Sequence, residues 1–218
     1  MRPGKLQDAP ALLDRGRPIP RETWDRQYRA GAWDSLDSLD ELGHYLVIAG
    51  YIHTLFASPA VLDVGCGPGR LGELLEGFAC RSYLGIDLSP EAIKQARQRR
   101  ATRGRFRVAD LDRWTPPGRF SVIVFCESLN YATHPAFTLM RYTHALEPNG
   151  ALIVSLYRHA NHRRIWRQAA RAFVVLDAAT VTNRNAQTWD IKVLRPRSNR
   201  PPAPRGRNGA PCNEETGI

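Results

Sequence analysis

Around residue 65 the chain passes from one backbone period to another with little between them but glycine. Val61-Leu62-Asp63-Val64 is a short run of the kind a buried strand uses. Gly65-Cys66-Gly67-Pro68-Gly69 follows at once, and Leu71, Leu74, Leu75 and Phe78 then recur at helical spacing. A strand that breaks into glycines and reopens as a helix is the junction where open α/β sheets bind their ligands. Glycine there admits positive φ and lets a ligand approach the backbone closely. The junction commits the chain to alternating strands and helices.

The flanking sequence agrees. Leu42, Leu46, Ala49, Ile52 and Phe56 predict an amphipathic helix from about Leu39 to the stop at Ser58-Pro59. Tyr83 to Ile86 reads as a second strand, and Ser89-Pro90 opens a helix whose inward residues are Ile93 and Ala96. Phe106 to Ala109 is a third strand, and Phe120 to Cys126 a fourth, apolar throughout as one buried on both faces must be. Phe137, Met140 and Leu146 are expected on the next helix, closed by the turn Glu147-Pro148-Asn149-Gly150. Ala151 to Leu156 is a fifth strand, and Arg163 to Ala172 a basic helix. Val174 to Thr182 and Trp189 to Leu194, joined by residues 183–187, read as a hairpin. The expectation is one α/β domain over residues 21–194, its sheet mostly parallel with an antiparallel C-terminal hairpin. Pro3, Pro10, Pro18 and Pro20 make residues 1–20 a flexible arm, and the proline-rich stretch 195–218, poor in large apolar side chains, reads as a disordered tail.

The glycine loop has two readings. Gly67-x-Gly69-x-x-Gly72 matches the dinucleotide fingerprint, with Asp87 at a plausible distance for a ribose. A pyrophosphate needs backbone amides without a fixed negative charge beside them, and Asp63 would repel it. A ligand carrying an ammonium and a sulfonium would instead welcome that carboxylate. Asp87 ends the second strand, where it can accept both hydroxyls of a ribose, and Asp110 ends the third, where it can accept from an adenine amino group. Singly, each is as readily a turn or N-cap aspartate. Together with the loop they outline one acidic, nucleoside-shaped crevice.

Val61 to Gly69, Tyr83-Leu84-Gly85-Ile86-Asp87-Leu88-Ser89, Ala109-Asp110-Leu111, Phe120 to Cys126 and Leu146 to Gly150 resemble, in order and spacing, the motifs of class I S-adenosylmethionine-dependent methyltransferases. The resemblance runs from about Trp24 to Leu194. It implies a Rossmann-like, doubly wound sheet of seven strands with the last one reversed, and S-adenosylmethionine as cofactor. It further implies that Asp63 and the loop Gly65, Cys66, Gly67 and Gly69 hold the methionine part, Asp87 the ribose, Leu88 the adenine face, and Asp110 with Leu111 the adenine edge. Cys126 and Glu127 would line the sulfonium end. Trp24 to Tyr28 and Gly31-Ala32-Trp33 resemble the N-terminal cap of small-molecule members, which makes residues 21–57 a helical cap and gives Tyr28 and Trp33 a lid role. Aromatic residues at this density equally pack a helix on a core, or meet a cation face-on.

Methyl transfer from a sulfonium needs alignment more than a catalytic cluster, and a base where the acceptor carries a proton. His134 and Tyr131, after the fourth strand, are the expected catalytic candidates, with Tyr157, His159 and His162 behind them. His159 and His162 are expected on an exposed helix end. Arg158, beside the crevice, hints at an acidic acceptor. The expected function is transfer to a small molecule, on oxygen or nitrogen.

Charge bears on the rivals. The chain has 31 Lys+Arg against 21 Asp+Glu, net +10. Its arginines gather at Arg97–Arg107 and Arg158–Arg171, which a doubly wound sheet places on opposite faces, so they form no single phosphate-tracking footprint. The segment Cys126-Glu127-Ser128-Leu129-Asn130 also lacks the Asn/Asp-Pro-Pro-Tyr of base amino-methylases. Transfer to tRNA or rRNA is the second reading, and a cofactor-binding protein without transfer the third. Cys66, Cys80, Cys126 and Cys212 have no metal-ligand spacing, so no metal is expected, and scattered thiols with neither a leader nor a spanning run suggest a cytoplasmic protein.

Overall fold

The computed structural model describes residues 19–99, 104–159 and 161–197. The expected arm therefore lies outside the described residues except for its last two positions, and so does the expected tail beyond residue 197.

Seven strands form a single sheet: β1 (Ala60–Val64), β2 (Ser82–Asp87), β3 (Arg105–Val108), β4 (Phe120–Cys126), β5 (Leu146–Tyr157), β6 (Phe173–Thr182) and β7 (Thr188–Pro196). Their order is β3-β2-β1-β4-β5-β7-β6. Strands β1 to β5 pair in parallel, while β7 runs antiparallel to both β5 and β6. The chain thus turns outward in both directions from the β1/β4 boundary, and the carboxyl ends of those two strands frame the crevice such a reversal creates. Every residue of β1 and of β4 is buried, as an apolar strand covered on both sides requires.

Alternate residues feed two cores. Leu62, Val64, Ile123 and Phe125 pack with α5 (Pro135–Tyr142) and α6 (His162–Ala172) on one face. Val61, Val122 and Val124 pack with α2 (Leu39–Leu55), α3 (Arg70–Leu74) and α4 (Pro90–Gln98) on the other. The two arginine-bearing helices, α4 and α6, therefore lie on opposite faces, as expected. A first helix, α1 (Arg21–Arg29), rests on α4. There Asp25 Oδ1 accepts from Ser89 Oγ and from the Glu91 amide at 3.3 Å, and Gln95 Nε2 donates to the Tyr28 carbonyl at 3.1 Å. Ser89 caps α4 through the Ala92 amide at 3.1 Å, with Pro90 in the first turn.

Three local expectations are corrected. In α2 the buried face runs through Glu41, Tyr45, Ile48 and Ile52, and Leu46 is half exposed. In α5, Phe137 and Met140 face outward, while Thr138, Leu139 and Tyr142 are buried. Leu146 already belongs to β5, and residues 147–150 are absorbed as a register shift between the pairs Phe120–Leu146 and Val122–Ala151. Glu147 is held there by Ser121 Oγ at 2.8 Å and by Arg81. The hairpin turn is anchored to α2: Asn183 Nδ2 donates to the Asp40 carbonyl at 3.0 Å, and Arg184 pairs with the Asp40 carboxylate at 2.9 Å.

Candidate active site

The glycine loop is built as its sequence demands. Gly65, Gly67 and Gly69 take φ of 75°, 52° and 85°. A Cβ on Gly65 would stand 2.4 Å from Ser128 Cβ, so the loop after β4 presses directly against the loop after β1. Ser128 Oγ donates to the Val64 carbonyl and locks the two together. Gly67 N donates to Asp87 Oδ2 and Ser89 N to Asp87 Oδ1, both at 2.9 Å. Each carboxylate oxygen keeps a lone pair for a further donor. Burial raises the Asp87 carboxyl to about 6 against these two amides, which favour the charged form.

Above the loop lies a cavity of about 490 Å³, a size that suits a cofactor-sized ligand. Gly65, Cys66, Gly67, Asp87 and Leu88 form its wall over β1 and β2, with Asp110 and Leu111 beyond them at the end of β3. Cys126, Glu127 and Tyr131 line it after β4. Tyr28 and Trp33 close it from the cap, where Trp24 stacks edge-on against Tyr131 at 4.8 Å and lies 5.6 Å from Trp33. Trp33 Nε1 is held by Gln27 at 3.1 Å. These expected site residues are brought together.

Three expected residues are not on the wall. Asp63 is 1% exposed and lies beneath the loop, where Tyr83 Oη donates to its Oδ2 at 2.5 Å and its Oδ1 is buried without a partner. Burial lifts its carboxyl to about 7; the Tyr83 hydrogen bond opposes that rise, and Asp87 adds to it. Gly69 turns away, its α-carbon facing Ala96 and Phe106. His134 precedes α5 on the outside and stands away from the cavity. His159, exposed as expected, and His162, half-buried at the first residue of α6, both line the cavity, and His162 Nδ1 is buried without a partner. Arg158 does not line it: its guanidinium is paired with Asp190 at 2.7 Å.

Sequence reading missed Glu41, Tyr45, Asn130 and Trp189, all on the wall. Glu41, in the first turn of α2, is 2% exposed, and burial pushes its carboxyl up to about 8, with Glu127 and Asp40 adding like charge. Glu127 has φ 54° and accepts from Ser155 Oγ at 2.6 Å and from the Tyr157 amide at 2.7 Å; burial raises its carboxyl to about 7 against those bonds. His44, one turn beyond Glu41, is fully buried and stacks on Trp189 at 4.8 Å; burial holds it down to about 3, so it is neutral. The usable signal for Glu41 was its place on the same helical stripe as Tyr45, Ile48 and Ile52. Among the described residues no group of side chains is arranged to hold a metal ion, and no helix is long and apolar enough to cross a membrane.

Comparison with known proteins bears on this arrangement. Residues 61–150 match a family described as a methyltransferase domain. A trans-aconitate 2-methyltransferase of Rhodopseudomonas palustris (strain BisB5) is 32% identical over 103 residues, covering 47% of this chain and 40% of that protein. A malonyl-[acyl-carrier protein] O-methyltransferase of Paenibacillus sp. (strain JDR-2) is 31% identical over 107 residues, covering 45% and 39%. The chain thus spans less than half the length of these two relatives. In structure, the N-methyltransferase NodS of Bradyrhizobium japonicum WM9, solved with S-adenosyl-L-homocysteine, superposes with a TM-score of 0.69 at 19% identity, over 82% of this chain and 98% of that one. That likeness is one of fold.

Proposed function

We propose that this protein, whose residues 61–150 match a methyltransferase-domain family, is a class I S-adenosylmethionine-dependent methyltransferase that moves a methyl group from that cofactor to a small-molecule acceptor, on oxygen or nitrogen. The observation that carries the reading is the double clamp on Asp87, which ties the glycine loop after β1 to the carboxylate after β2 on one wall of one cavity. The residues fit the cofactor. Asp87 keeps acceptor capacity for a vicinal diol, Asp110 lines the same cavity and could accept from an adenine amino group, and Leu88 and Leu111 would give the base apolar cover.

When bound, S-adenosylmethionine supplies a methyl group already activated on a sulfonium. The chain's own share is alignment and exclusion of water. Holding two reactants in register is worth about 7–11 kcal/mol. Tyr28, Trp24 and Trp33 cover the crevice from the cap, and the Asp25–Ser89 contact seats that cap on the helix that Asp87 leads into. Trans-aconitate and the malonyl group belong to relatives matched over less than half their length, and neither is carried over to this chain.

The test is calorimetric titration of S-adenosylhomocysteine into the wild type and Asp87→Ala. Micromolar binding is expected for the wild type, weakened about 100-fold or more by loss of two charge-assisted hydrogen bonds. No binding to the wild type overturns the reading, and a titration with NAD(H) would follow.

A further inference from the structure

The sheet order divides the crevice. Asp87 and Asp110 stand over the ends of β2 and β3, whereas Glu127 follows β4, Tyr157 ends β5 and Trp189 lies at the start of β7. Helix α2 packs over β5, β6 and β7 and brings Glu41 to this second half. Resting on the methyl-transfer reading above, we propose that the second half takes a small-molecule amine, held through its N–H groups by Glu41 and Glu127, so that nitrogen receives the methyl group.

The second half holds two acceptors left without a donor, the Glu41 carboxylate and Asn130 Oδ1. Glu41 is 2% exposed, yet its carboxylate makes no hydrogen bond to any described residue; its nearest partner is His44 Nδ1, at 3.8 Å. A buried carboxylate in that state costs stability until a donor reaches it. Asn130 Oδ1, on the same wall, is likewise buried without a partner. Glu127 is fixed by Ser155 and Tyr157, which leaves it rigid and still able to accept. The cationic and imidazole groups on the cavity wall are Arg21, Arg113, His159 and His162, and Arg158 is not among them. Arg158 is committed to Asp190, and Arg113 is 89% exposed and pairs with Asp110 over the other half. Arg21 sits at the exposed start of α1. A carboxylate entering beside Glu41 and Glu127 would meet two acids, with the imidazoles of His159 and His162 as the other titratable groups on that side, whereas an ammonium meets acceptors beside the rings of Tyr157 and Trp189. An entering ammonium favours the ionised form of Glu41, which then takes one N–H proton as an O–H bond forms, leaving the electron pair on nitrogen for the new N–C bond while the C–S bond pair of the sulfonium returns to sulfur. The desolvated setting that raises the Glu41 carboxyl suits it to take that proton.

The experiment loads the full chain with S-adenosylhomocysteine and titrates benzylamine, tyramine and putrescine against phenylacetate and trans-aconitate by calorimetry. The titrations are repeated in Glu41→Gln and Glu127→Gln, with circular dichroism to confirm folding. At least one amine is expected to bind in preference to both acids, and each substitution to weaken it about 10- to 100-fold, with cofactor-product affinity in Glu41→Gln held within a few-fold. Failure of S-adenosylhomocysteine to bind the wild type would remove the methyltransferase reading and this inference with it. If it binds while the acids bind as tightly as the amines, or no amine binds, the amine assignment alone is overturned. If the glutamines weaken S-adenosylhomocysteine and not the amine, the two acids belong to the cofactor, and the assignment is again overturned.

Discussion

Tyr83 reaches across from β2 to donate its hydroxyl to Asp63 on β1 at 2.5 Å, sealing a carboxylate beneath the glycine loop where only one of its two oxygens is satisfied. Removing that donor in Tyr83→Phe is expected to cost about 2–3 kcal/mol, the worth of a hydrogen bond to a charged buried group. A urea melt measures it, and a change under about 0.5 kcal/mol would show the pair to be idle.

The same burial gives stability a pH slope of defined sign. Asp63, Glu127 and Glu41 titrate near 7, 7 and 8 in the folded protein, well above the ordinary carboxylate range of the unfolded chain. Between those limits the folded state binds more protons, so these groups make stability fall as pH rises from about 4.5 to 8. The melting temperature of the free protein should decline over that range, and Asp63→Asn should flatten the decline. A steeper decline in the variant would refute the assignment.

Gly65→Ala should be severe. The added Cβ meets Ser128 Cβ at 2.4 Å, and φ of 75° is unfavourable for alanine. Overpacking and left-handed backbone together cost about 2–5 kcal/mol. Thermal denaturation reads this directly. A melting temperature equal to wild type would mean that the loops after β1 and β4 part more easily than their contact implies.

His134 and Tyr131 should separate sharply although three residues apart. His134→Ala, outside the cavity, is expected to leave S-adenosylhomocysteine affinity within about twofold, as surface substitutions do. Tyr131→Ala removes the edge contact with Trp24 and about 0.5–1.5 kcal/mol of the cap's hold. Faster hydrogen exchange over α1 in that variant alone would confirm the separation; equal effects would contradict it.

Asp25→Ala should loosen the same cap from its other side. Asp25 accepts from Ser89 Oγ and the Glu91 amide, so its loss should cost about 1–2 kcal/mol and raise exchange in α1. Unchanged exchange there would show that the aromatic contacts alone hold α1.

What the sequence disclosed was whatever a short window encodes. The glycines after β1, the uniform apolarity of β4 and the aspartates at the end of β2 and just beyond β3 are each visible within a few residues, and the sheet follows from the order of such elements. The second half of the crevice obeys no such window. Glu41 reads as solvent face when only apolar residues are counted along α2, and the half-exposed Leu46 then sets the wrong phase. His134 falls closer to the glycine-loop partners in sequence than His162 does, but α5 carries it outward while the chain after β5 returns over the cavity. Which histidine faces the cavity is decided by the path of the backbone between elements, and hydrophobic period says nothing about that path.

The hydrogen bond from Asn183 to the Asp40 carbonyl joins residues 143 positions apart, and Arg184 holds the same aspartate. All the wall over β1 to β3 has been synthesised by Leu111, whereas the setting of Glu41 waits for the hairpin and for Trp189. During synthesis the half of the crevice over β4 to β7 is therefore the last to be completed.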